Sequence, residues 1–241
     1  MSADLKVLLV LAASIGFVHT ISGPDHYLPF IVMAKARNWK LTKTLLITFL
    51  CGVGHVGSSI AIGAIGIVFG IGVQKLQVFE SFRGNLAAWT FVLFGLIYFL
   101  WGIWKVKRKK VHQHFHFHDN GTVHVHHHQH FKSKNHLHQH EKVPEKPVNI
   151  TPWILITVFV LGPCEPLIPI LMYPAATANA GGVFTVSAVF SFCTITTMMS
   201  VVILSLYGIN FLPLKTFEKY MHPIAGASIC LSGLAIVFLG L

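Results

Sequence analysis

Apolar residues run along the chain in six long blocks, near 5–33, 42–73, 86–105, 151–173, 182–208 and 220–241. Each can cross a bilayer, which needs about 20 residues per helix. The first, second and fifth blocks are long for one crossing, which predicts breaks, tilt or interfacial extensions. The pattern predicts an all-α integral membrane protein with six transmembrane helices. The apolar start at 5–18 carries one lysine at its head and no small-residue cleavage pattern. It reads as a retained first span instead of a signal peptide.

Polar residues inside these blocks are few, and one stretch gathers several: His19-Thr-Ile-Ser-Gly-Pro-Asp-His-Tyr-Leu-Pro29. Imidazoles and a carboxylate at membrane depth are costly and usually mark an ion pathway or binding site. Gly23 and Pro24 precede the acid, where they predict a broken helix whose freed backbone faces a cavity. A similar stretch opens the second half, Gly162-Pro-Cys-Glu-Pro-Leu-Ile-Pro169. Both have Gly-Pro, then an acid, then a further proline. With an odd number of spans per repeat the halves take opposite orientations, as in transporters whose discontinuous helices meet at the midplane. The expected fold is therefore two inverted three-helix repeats, broken at Gly23-Pro24 and Gly162-Pro163. Its parts are residues 1–106, a connection at 107–150, and residues 151–241.

His19 and His26 lie seven residues apart, which puts them on one face of a continuous helix. Unwinding at Gly23-Pro24 turns Asp25 inward. The second block adds His55 among small residues, in Gly54-His-Val-Gly-Ser-Ser59. Such residues let helices approach closely. Alone, His55 reads as a core histidine; beside His19, Asp25 and His26 it reads as a ligand. Imidazole nitrogen with carboxylate oxygen suits first-row divalent metals. The other half offers Glu165, the one acid of the fourth block, with Cys164 beside it as either a thiolate ligand or a packing residue. Thirty residues after Glu165, where His55 follows Asp25 in the first half, stands Ile195; Thr196, Thr197 and Met198 beside it could line a pathway, and core packing is the better reading for them. Cys51, Cys193 and Cys230 read as packing, since the four cysteines form neither a CxxC pair nor a disulfide framework. His222, before Pro223, is expected at the interface.

Composition agrees with a membrane protein: 54% of residues are hydrophobic and only 11% charged, against roughly 25% charged in soluble domains. The net charge of +10 does not indicate nucleic acid, because the basic residues sit between apolar blocks. They act as topology signals. Fifteen lie in the 34–43, 105–146 and 215–219 joints, against only Lys6, Lys75 and Arg83 on the other side. This predicts a cytosolic 107–150 connection, both termini outside, and residence in the inner membrane of a prokaryote.

That connection holds twelve of the sixteen histidines, all within 112–140. A His-rich tract reads as metal-binding, with His112, His114, His116, His118, His124, His126, His128 and His130 as accessory ligands. Residues 111–118 alternate with period two, and so do 122–126 after Asp119-Asn-Gly121. A three-residue loop with Gly121 left-handed would close a hairpin over 111–130, pairing His116 with His124 and His114 with His126. The alternative is a chelating linker without fixed structure, above all for 131–150.

These motifs together resemble the nickel/cobalt transporter families, the NicO and NiCoT kinds. They also resemble related six-span proteins grouped with urease-accessory and sulfite-exporter-like membrane proteins. The carriers of the resemblance are His19…Asp25-His26 in an early helix, Gly54-His55 in the next, and the His-rich 112–140 stretch, which is similar in character to the loop of efflux members. One departure is that uptake permeases have four residues between His and Asp where this chain has five. Gly162-Pro-Cys-Glu-Pro166 is also similar to thiol-transporting relatives of cytochrome-c biogenesis, but the first half has Asp25 where those carry a second cysteine.

The sequence therefore points to a transporter, not an enzyme, carrying a divalent transition metal with no permanently bound cofactor. The resemblance implies nickel or cobalt, with zinc, iron or manganese as further cargo. The metal site is expected at His19, Asp25, His26 and His55, joined by Glu165 and Cys164, with Asp25 and Glu165 trading protons for metal. Its partners are metal ions and the lipid bilayer, with a homo-oligomer as one option. A His-rich connection near the inner mouth favours export over uptake. The rival expectation is a membrane thiol-redox carrier, or a metal store or assembly factor, built on Cys164 and the His-rich loop. An anion exporter is disfavoured because no Lys or Arg falls within the inferred site.

Overall fold

The computed structural model describes residues 3–108, 112–117, 123–128, 151–176, 180–210 and 219–239. The first half consists of α1 (Ala3–Ser22), α2 (Leu28–Arg37), α3 (Leu41–Val68) and α4 (Val73–Arg108). The second consists of α5 (Thr151–Leu161), α6 (Leu167–Ala176), α7 (Ala180–Asn210) and α8 (Met221–Leu239). Between the halves, β1 (His112–Phe117) and β2 (Val123–His128) pair antiparallel.

Prolines and left-handed residues set the helix ends. Pro24 has no N–H to donate and disfavours helical backbone at Gly23, so α1 stops at Ser22 and a single 3-10 turn covers Pro24–His26. Pro29, in the first turn of α2, needs no intrahelical donor there and helps start the new helix. Asn38 ends α2 in the left-handed region at φ 51°, with its N–H on the Ala34 and Lys35 carbonyls. Gly70, at φ 62°, does the same for α3, a conformation that costs glycine little. The predicted breaks therefore fall at Gly23-Pro24 and Gly162-Pro163.

Among the described residues, five helices, α1, α3, α4, α7 and α8, are long and apolar enough to cross a membrane, the build of an integral membrane protein. The fourth apolar block differs from a single span: it folds as the short helices α5 and α6, of 11 and 10 residues. Large apolar side chains face outward along the bundle, among them Val10, Phe17, Val68, Phe82, Phe184, Phe192 and Phe238. Water would make that surface unstable, whereas hydrocarbon is its matching solvent.

Inside, where lipid and protein are equally apolar, close packing must hold the helices. The most extensive contact joins α4 and α8 through small residues. A Cβ at Gly95 or Gly226 would run into the other helix's backbone at Cys230 and Phe99, and one at Gly233 would lie 2.8 Å from the Ala88 carbonyl. One apolar core gathers Phe30, Met33, Leu155, Phe159, Met198, Val202 and Ile229. A second gathers Ala12, Val56, Cys164, Leu167, Val186 and Phe190.

Helix α4 corrects the boundary read from the sequence and carries Arg83 into the bundle. At 36 residues it is about 54 Å long, well beyond the roughly 30 Å hydrocarbon layer. It begins at Val73, so Lys75 and Arg83 belong to a helix instead of a loop, and Arg83 is buried. In the hairpin, His114 pairs with His126 and His116 with His124, the register expected from the alternation. His118 and His130, the turn at 118–122, and residues 131–150 lie outside the described residues.

Candidate metal centre

Three imidazoles converge where the first break meets α3. His19 comes from the last turn of α1, His26 from the 3-10 turn, and His55 from the middle of α3. Their ring centroids are 4.7 Å apart for His19 and His26, 5.0 Å for His26 and His55, and 6.5 Å for His19 and His55. One ligand nitrogen from each lies within 4.8 Å of the others. The Nε2 atoms of all three are buried and have no hydrogen-bond partner among the described residues. Buried polar atoms are nearly always paired, so three orphans in one place need an explanation. On an ion with nitrogen at about 2.0–2.1 Å, tetrahedral ligands lie roughly 3.3 Å apart. Small side-chain rotations therefore suffice to close the set.

Hydrogen bonds fix which nitrogen carries the lone pair. His26 Nδ1 faces two acceptors, the Gly23 carbonyl at 3.1 Å and Asp25 Oδ1 at 3.2 Å. It therefore holds a proton, and in the neutral ring this leaves Nε2 as a bare acceptor. His55 bonds the Phe159 carbonyl, and since its Nε2 has no partner that bond runs through Nδ1. Its Nε2 is bare as well. Metal-binding histidines are commonly oriented in this way by a carboxylate or carbonyl on the other nitrogen. Asp25 thus orients His26 in this arrangement while its own side chain stays partly open, at 17% exposure.

Gly23 makes the packing possible. A Cβ there would sit 2.6 Å from His26 Nδ1 and 2.8 Å from Asp25 Oδ1. Tyr27 donates its hydroxyl to the Ile21 carbonyl at 3.2 Å, satisfying one of the acceptors freed at the end of α1.

The cluster lines a cavity of about 390 Å³. Ser81 and Asn85 of α4, Glu165 of the second break, and Ile236 and Val237 of α8 form further parts of its wall. Phe159 and Phe91 also line it, and Phe159 packs on Phe30 with ring centroids 4.9 Å apart. Beyond them, toward the C-terminal end of α4, Tyr98 accepts from Arg37 at 3.0 Å and contacts His222 Nδ1 at 2.8 Å. Lys105 reaches His222 Nε2 at 2.9 Å. His222, expected at the interface, thus joins α4 to α8 and, through Tyr98, to the end of α2.

The structure brings His19, Asp25, His26 and His55 together and sets Glu165, exposed, on the wall of the same cavity. It does not bring Cys164 there. That residue is fully buried as a free thiol in the second apolar core, and its backbone N–H bonds Ser59 Oγ at 3.0 Å. Met198 and Thr197 are buried in packing positions, as the sequence favoured, whereas Thr196 is exposed on α7. Sequence reasoning missed Glu80, which is completely buried and paired with Arg83. The available signal was their spacing of three residues, one helical turn, just ahead of an apolar block.

No family model matches the chain, and neither a curated protein nor a solved structure matches it significantly.

Proposed function

We propose that the protein carries a divalent transition-metal cation, nickel or cobalt, across the membrane. The observation that carries this reading is the trio of buried Nε2 atoms on His19, His26 and His55 that have no hydrogen-bond partner among the described residues. Neutral imidazole suits nickel, cobalt and zinc, and the absence of thiolate from the cluster disfavours soft-metal chemistry. Ligands that must stay neutral or anionic also make binding compete with protons. Asp25 and Glu165 serve that exchange.

The architecture we infer is six crossings in two inverted repeats, with α1–α4 corresponding to α5–α8. Packing supports it. Helix α1 lies against α7 as α5 lies against α3, and α2 lies against α8 as α6 lies against α4. Helices α3 and α7 cross near Gly52 and Ile195, and Ile195 stands as far after Glu165 as His55 stands after Asp25. Rocking of one repeat against the other would expose the cluster alternately to the two sides.

In the present arrangement the cavity lies toward the N-terminal half of α4. The aromatic layer and the Tyr98–His222–Lys105 group close the end nearest the His-rich connection. With that connection in the cytosol, the site faces outward. Export remains the preferred direction, the connection collecting metal near the inner mouth. The thiol-redox alternative draws little from the enclosed position of Cys164. Flux of nickel, cobalt, zinc, iron and manganese into proteoliposomes of known orientation, for wild type and Asp25→Ala, tests the reading. Flux that disappears with Asp25→Ala is expected; no flux for any metal overturns it.

A further inference from the structure

Helix α4 places two charges inside the bundle, Glu80 with no exposure and Arg83 with a 9% exposed side chain. A buried ion pair gives little net stability relative to apolar packing, so its presence calls for another use. Its partners indicate one. The Arg83 guanidinium bonds Glu80 Oε1 through Nη1, and through Nη2 it donates to Ser58 Oγ and to the Val160 carbonyl, both at 2.8 Å. Glu80 Oε2 accepts from Ser59 at 2.9 Å and from the Cys164 N–H at 3.3 Å. The Ser58 hydroxyl in turn donates to the His55 carbonyl at 2.9 Å.

These bonds fall on the groups that the second break leaves bare. The last carbonyls of a helix have no intrahelical donor. In α5, Val158 receives the Gly162 N–H at 2.8 Å, Val160 receives Arg83, and Phe159 receives the His55 imidazole. The carbonyl that orients His55 is thus adjacent to the one held by Arg83. Ser58 and Ser59, the other anchors, lie one helical turn beyond His55.

We propose that Glu80 and Arg83 are positioning residues for the metal site. They clamp the second break onto α3 and hold the Phe159 carbonyl against His55 Nδ1, which keeps the His55 Nε2 lone pair aimed into the cluster. The inference rests on the metal-transport reading for its purpose, but its structural core can be measured without metal.

The test uses the full chain in lipid nanodiscs with 15N-labelled histidine. His55→Gln identifies the His55 ring signals by their loss. Wild type should show His55 protonated on Nδ1. Arg83→Lys keeps the charge but cannot make all the guanidinium bonds; it should move His55 toward the Nε2-protonated form. Cobalt affinity of the cluster should fall about 10–100-fold, the usual effect of disturbing an outer partner of a metal ligand. It is read as the difference between chains with and without His55, so that binding at the His-rich connection cancels. Ser58→Ala cuts the same path while leaving both charges in place, and should shift the tautomer in the same direction if Arg83→Lys does not fold. Wild-type His55 signals in both variants would overturn the proposal. A tautomer shift in Arg83→Lys with no cobalt bound at the cluster of either chain would uphold the clamp and remove the metal reading.

Discussion

The two helix breaks start from nearly the same residues and end differently. At the first, Gly-Pro-Asp-His, the freed groups are satisfied locally: His26 caps the Gly23 carbonyl and Tyr27 caps Ile21. At the second, Gly-Pro-Cys-Glu, satisfaction comes from a distance, from Arg83, Glu80 and Ser59 of the first half. The acids differ as well. Asp25 turns onto an imidazole, whereas Glu165 stands exposed on the cavity wall. The comparison assigns ligation to the first break and scaffolding to the second. A repeated motif can supply the same bend in the backbone while its side chains serve unequal ends.

That division can be broken most severely at the ligands. His26→Ala removes a ligand and the cap of its own break together. Nickel and cobalt binding at the cluster should fall by more than about 100-fold, beyond the range seen when only an outer partner is lost. Calorimetry on a chain lacking 112–140 measures this directly. Retained binding would mean that the trio is not the site.

The two glycines sharpen the comparison. A methyl at Gly23 would meet His26 Nδ1 at 2.6 Å, whereas at Gly162 the nearest side-chain atom is His55 Nδ1 at 3.4 Å. Gly23→Ala should weaken cobalt binding about 10–100-fold, and Gly162→Ala should leave it within about 3-fold. Equal losses would erase the assigned difference between the breaks.

Glu165→Gln is expected to act more weakly. An exposed charge at a cavity wall attracts cations from solution and matters less as salt rises. The half-saturating metal concentration for flux should rise about 3-fold at low ionic strength, by an amount that shrinks with added salt. The smallest effect belongs to Cys164→Ser. The thiol lies in an apolar core outside the cavity, so transport should persist with only a modest loss of thermal stability, on the order of 1 kcal/mol for a hydroxyl placed there. Complete loss of function in a well-folded Cys164→Ser protein would revive the redox alternative.

The first break and its cluster were legible because they violate the surrounding pattern. Histidines and an acid beside Gly-Pro stand out in apolar sequence, and the seven-residue interval between His19 and His26 survives the unwinding between them. The hairpin register was legible from the strict alternation of residues 111–118 and 122–126. The clamp was not. Arg83 reads as a loop charge because the apolar block begins three residues later, and its partners at Ser58, Ser59, Val160 and Cys164 come from distant parts of the chain. The choice between ligand and packing residue for Cys164 was hidden for a different reason. Adjacent residues at a break point in directions that no helical or strand period fixes. Here one side chain enters a core and the other faces the cavity.

The most direct test of the central claim is nickel and cobalt flux in oriented proteoliposomes for three chains: wild type, His19→Ala, and one lacking residues 112–140. The account predicts that His19→Ala abolishes flux while the deletion changes only its apparent affinity or regulation. Flux that survives His19→Ala but disappears with the deletion would move the working site from the membrane cluster to the His-rich connection.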